Sequence, residues 1–149
     1  MVDEAAAYWI GDNQATGSSS KGHLLYALTE SIAQQFEKTG ATGSESKVNS
    51  QIIDLFNKAK NHIAISRGCT TSEDSHLKLK GVVNDLIPLM AVPLLHSLLY
   101  YLSQDDTLMV KVYATSVLPL FSVCHPSTYR ELKMKNDLID RDPYEIQKE

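Results

Sequence analysis

Two histidines, His62 and His96, have the clearest capacity for ligation in this chain. Imidazoles carried on two helices can meet in a helical core and hold haem iron or another metal from opposite sides. His96 stands among leucines, in Leu94-Leu95-His96-Ser97-Leu98-Leu99. A core histidine with one hydrogen bond is the plainer reading of that setting, and a helical bundle holding haem or an apolar ligand is the alternative one. Glu73-Asp74-Ser75-His76 contains the Glu-x-x-His spacing of di-iron bundles, but such sites need a second copy and further carboxylates, and acidic residues in a first helical turn account for it. Gly17-Ser18-Ser19-Ser20-Lys21-Gly22 offers amides, hydroxyls and a lysine before a helix, without the GxxxxGK[ST] order of a phosphate loop. Cys124-His125 lacks a third group to orient it, and sequence neighbours rarely face one another. No catalytic constellation emerges, so neither an enzyme nor a cofactor is expected.

Binding chemistry is better represented. Tyr100, Tyr101, Tyr113, Phe121 and Tyr129 cluster in the second half of the chain. Tyrosine suits interfaces because its ring buries apolar area while its hydroxyl stays wet. Tyr100, Tyr101, Tyr113 and Tyr129 are therefore the candidate binding residues. Adjacent helix positions cannot both face inward, so Tyr100 or Tyr101 should be partly exposed. The two cysteines, Cys69 and Cys124, either form one disulfide or stay reduced. Their number and separation exclude a zinc site or a CxxC pair.

The elements that must position these residues read as helices throughout. Asp3 to Gly11 has an acidic start, good helix formers and a closing glycine, with Trp9 as its anchor. Leu25, Leu28, Ile32 and Phe36 recur at helical spacing over His23 to Lys38. Val48, Ile52, Leu55, Ala59 and Ile63 do the same up to Gly68, widened by Ile53 and Phe56, with Ser44 or Ser46 as the cap. Leu79, Val82, Leu86 and Met90 open a fourth helix, which Pro88 and Pro93 should kink or break in two near Pro93. Asp105-Asp106-Thr107 forms a turn and cap before Val110, Tyr113, Val117, Leu120 and Phe121. A last helix covers about Ser127 to Leu138, and the charged stretch from Asp140 to Glu149 reads as a frayed tail. The expectation is one all-α domain over residues 1–139, a compact bundle of about five or six helices.

Bulk properties bound the function. A chain of 149 residues can bury roughly 70% of its unfolded surface in one core. Its 43% hydrophobic and 21% charged content is ordinary for a globular protein. The net charge of −4, with no basic stripe, argues against nucleic-acid binding. The longest apolar run, Leu86 to Leu102, is interrupted by Pro88, Pro93, His96 and Ser97, and reads as a buried central helix instead of a membrane span. The opening Met1-Val2-Asp3-Glu4 shows no signal peptide. The expectation is a soluble protein, cytoplasmic by default, or secreted if an upstream signal was removed.

Leu79 to Pro93 and Val110 to Cys124 look like loose copies shifted by about thirty residues. Leu86 to Leu102, the turn Asp105-Asp106, Val110-Lys111-Val112-Tyr113-Ala114 and Val117-Leu118-Pro119-Leu120 resemble the HEAT or armadillo-like helical repeat. There an apolar helix with a proline leads through an acidic turn into a helix with a Val-basic pair and a small residue. The resemblance covers about residues 79–132 and implies stacked helices that bind a protein or peptide, or assemble a structure. The internal offset is shorter than the family's unit of about 40–47 residues, so the likeness is helix to helix within one unit. Tyr8-Trp9-Ile10-Gly11 and Gly22-His23-Leu24-Leu25-Tyr26 are similar to helical modules of algal proteins, a likeness that implies no biochemical role.

Overall fold

The computed structural model describes residues 2–12, 14, 22–36, 45–66 and 73–136. The chain is all-α: α1 (Val2–Ile10), α2 (Leu25–Gln35), α3 (Lys47–Ser66), α4 (Glu73–Ser103), α5 (Thr107–Cys124) and α6 (Pro126–Asn136), with no strand among the described residues. These helices fall into two compact units, Met1–Pro93 and Leu94–Glu149, with the boundary inside α4 at Pro93.

In the first unit α1, α2 and α3 pack on one another around Trp9, Tyr26, Ile52, Leu55, Phe56 and Ala59, and Val82 and Leu86 of α4 complete the cluster. Local chemistry marks both ends of α1 and the start of α3. Asp3 and Glu4 oppose the helix dipole in the first turn of α1. Gly11, with φ of +81°, ends it by donating its N–H to the Ala7 carbonyl at 2.8 Å. A side chain there would be strained and would meet Leu24 at 3.1 Å. Ser46 caps α3, its hydroxyl accepting the Val48 N–H at 3.2 Å.

The stripe expected on α3 is the buried one, with Ile52, Leu55, Phe56 and Ala59 inside. On α2 the burial is rotated from the expected face. Leu25, Leu28 and Phe36 are half-buried, while Tyr26, Ala27, Thr29, Glu30, Ile32 and Ala33 are buried. The reason is polar: Glu30 is drawn inward to bind the start of α3 and takes its neighbours with it.

α4 differs from expectation in two ways. First, of the kink or break expected at the prolines the break does not occur, and one helix runs through Pro88 and Pro93. Each proline removes only one N–H from the ladder, at bonds to Asn84 and Leu89, and the intervening bonds hold the helix together. Second, its apolar run is not a buried centre. α4 is long and apolar enough to cross a membrane, yet 28% of its most apolar window is buried in the protein. Pro93 is fully buried, whereas Val83, Ile87, Leu99 and Leu102 are exposed.

In the second unit, the end of α4 and all of α5 enclose Leu98, Val110, Ala114 and Leu118, and α6 packs on α5.

Candidate interaction surface

The candidate tyrosines are placed by a tight helix–turn–helix. α4 stops with Asp105 in the left-handed region, φ +54°. The Asp106 N–H donates to Tyr101 O at 3.2 Å and the Asp105 N–H to Leu102 O at 3.4 Å, the paired bonds of a Schellman turn. Asp106 then caps α5, its carboxylate accepting the Met109 N–H at 3.1 Å. Two consecutive aspartates thus end one helix and start the next.

This turn brings Tyr101 against Tyr113, rings stacked with centroids 5.5 Å apart and planes 10° from parallel. Tyr100 meets Tyr101 edge-on, at 5.2 Å and 78°. Tyr101, Tyr113 and Tyr129 pack on the Leu98–Leu118 cluster, and all four tyrosines are half-buried. The Tyr113 hydroxyl is hydrogen-bonded with that of Ser97, which is fully buried. Burial pushes the Tyr113 phenol above its ordinary 10.0, opposed by the Ser97 bond and reinforced by Tyr101. The result is an aromatic ladder with apolar ring faces and anchored or half-exposed hydroxyls, able to bury area and exchange hydrogen bonds with a partner.

His62 is half-buried on α3 in the first unit, and His96 is half-buried on α4 in the second. His76 is exposed. Among the described residues no three His, Cys, Asp or Glu side chains are grouped to hold a metal ion. Cys69, the Gly17–Lys21 stretch and the side chains of Cys124 and Glu73 lie outside the described residues.

A polar network in the first unit was not anticipated from sequence. Glu30, 1% exposed, accepts the Ser46 N–H on both carboxylate oxygens, at 3.1 and 3.0 Å, and the Asn49 amide at 2.6 Å. Asn49 also donates to Tyr26 O at 3.0 Å and accepts the Trp9 indole N–H at 3.0 Å. Tyr26 donates to Glu45 at 3.2 Å. The carboxylate therefore sits at the positive end of α3, and one amide ties α1, α2 and α3 together. The available signal was the register of Asn49, which shares the Ile52–Phe56–Ala59 face. This network locks the fold and offers no open site.

Comparison of the chain with protein-family models, with curated proteins and with solved structures gives no match.

Proposed function

We propose that this chain is a non-enzymatic helical module that binds a protein or peptide, or serves in structural assembly, with a HEAT-like helical pair in its C-terminal half. The observation that carries the reading is the tyrosine ladder of Tyr100, Tyr101 and Tyr113, with Tyr129 on the same cluster. Three half-buried rings on rigid helices are pre-organised, so a partner that covers them finds little side-chain freedom left to lose.

The test is site-specific photocrosslinking in the source cells, with a benzophenone amino acid at position 100 or 101. Tyr8, on α1 and 80% exposed, is the control position. A discrete adduct formed from positions 100 or 101 and not from position 8 is the expected result. Equal labelling at all three positions, or no adduct, contradicts it.

A further inference from the structure

Ser103 is the last residue of α4, and it is exposed. Its hydroxyl donates to the Tyr100 carbonyl at 2.7 Å, one of the last-turn carbonyls that a helix end leaves without an intrahelical N–H. Beyond it the turn hangs on three backbone bonds. The Gln104 and Asp106 N–H groups both donate to Tyr101 O at 3.2 Å, and the Asp105 N–H donates to Leu102 O at 3.4 Å. All three are longer than the common ~2.9–3.0 Å of an N–H···O bond. Asp105 adds strain, since φ of +54° is unfavourable for a residue with a side chain. Ser103 therefore stands where the helix opens most easily.

The residues after it specify the modifying partner. An acidophilic serine kinase uses basic side chains in its substrate groove to read a carboxylate three residues beyond the serine. Among the exposed hydroxyls of the described residues, Ser103 and Thr128 alone have a carboxylate at that spacing. At Thr128 the intervening Arg130 opposes a basic groove. At Ser103 both Asp105 and Asp106 favour one, and no Lys or Arg occurs between Lys80 and Lys111.

We infer that Ser103 is a phosphorylation site for an acidophilic kinase, and that the phosphate opens the turn between α4 and α5 and withdraws the tyrosine face. The second half rests on the recognition role proposed for that face. In the step, Ser103 Oγ attacks the γ-phosphorus of a nucleoside triphosphate, and the new O–P bond forms as the bond to the β-phosphate oxygen breaks. The diphosphate leaves with that electron pair, and the hydroxyl proton passes to the kinase's base. Three effects then act together. The Tyr100 carbonyl loses the Ser103 hydroxyl as its donor. The phosphate places about −1.5 to −2 charges at the negative end of the α4 dipole. Asp105 and Asp106 repel it from within the same turn. Because this turn aligns Tyr101 with Tyr113, opening it unstacks the pair.

Incubation of the full chain with a constitutively active acidophilic kinase and ATP, with sites located by fragmentation mass spectrometry, tests the first half. Phosphate on Ser103 is expected. Asp106→Asn, which keeps a capping side chain for α5, should slow its addition on the order of tenfold. A chain unmodified at Ser103, whatever its other sites, overturns the inference, and so does an Asp106→Asn variant modified as fast as wild type. Amide exchange and near-UV circular dichroism test the second half, against Ser103→Ala treated with the same kinase. In the phosphorylated chain the Gln104, Asp105 and Asp106 amides should exchange on the order of tenfold faster, and the tyrosine band should weaken, with Asn49 and Ile52 unchanged. Turn amides and a tyrosine band that match the Ser103→Ala control overturn the opening. None of these readouts uses a partner, so failure here leaves the photocrosslinking result standing, and a missing adduct there leaves this one standing.

Discussion

The two units solve the problem of a helical core differently. The first encloses one large aromatic anchor, Trp9, together with Tyr26, Ile52, Leu55 and Phe56, and ties three helices together through the Glu30–Asn49–Ser46 network. The second buries the aliphatic side chains of Leu98, Val110, Ala114, Val117 and Leu118 and packs half-buried tyrosines against them, leaving Leu99, Leu102, Leu108, Val112 and Leu120 exposed. A sealed core with its polar groups paired is the mark of a scaffold. Both units expose large apolar side chains, Tyr8, Leu24, Leu77, Val83 and Ile87 in the first, so what sets the second apart is its stacked, half-buried tyrosines. The difference is why the proposed recognition role is placed on the second unit and not on the first.

The strongest way to break this contrast is Trp9→Ala. It removes the largest buried ring and orphans the Asn49 carbonyl, and should cost ~3–5 kcal/mol in urea unfolding. A loss below about 1 kcal/mol would mean that the first unit is not organised around this residue. Next comes Glu30→Ala, which leaves the Ser46 N–H and the Asn49 amide without their acceptor, at roughly 1–3 kcal/mol per orphaned buried group. An unchanged midpoint would remove the network from the account.

In the second unit the expected effects are smaller. A double-mutant cycle of Tyr101→Ala and Tyr113→Ala should give a coupling of ~0.5–1.5 kcal/mol for the stacked pair. Tyr113 also carries a pH signature. Its raised pKa means that the folded state holds this proton more tightly than the unfolded chain does. Its contribution is fully present below the ordinary value of 10.0 and is lost as pH rises through the higher folded value, so stability falls on the alkaline side. Ultraviolet titration of phenolate should show a late step that Tyr113→Phe abolishes. Smallest is Asp105→Gly, which relieves a left-handed residue at the cost of a freer unfolded chain and should stabilise by about 0.5 kcal/mol. A destabilisation would show that the Asp105 side chain contributes more than its backbone strain costs.

Much of this was legible in the sequence, and the failures are instructive. Helix limits followed from local chemistry: Ser46 and Asp106 as caps, Gly11 as a stop, and the apolar register of α3. These signals lie within a few residues of where they act. Glu30 was not legible as a buried group, because a glutamate in a helix ordinarily faces water, and its partners Ser46 and Asn49 lie 16 and 19 residues away. The same long-range bonds turn α2 so that, of the expected Leu25–Leu28–Ile32–Phe36 face, Ile32 is buried and the other three are half-buried. On α4 the composition from Leu86 to Leu102 suggested burial, but composition reports what can be buried and not whether a neighbour is present to bury it. Tyr100 and Tyr101 were identified by residue type, yet their stacking order depends on the three-residue turn that aligns α4 with α5.

Native-state hydrogen exchange tests the contrast between the units most directly. Amides of α1, α2 and α3 should exchange only through the largest opening. Those of α5 and α6 should open at lower free energy. Uniform protection across both units would contradict the division into a locked first unit and a looser second one.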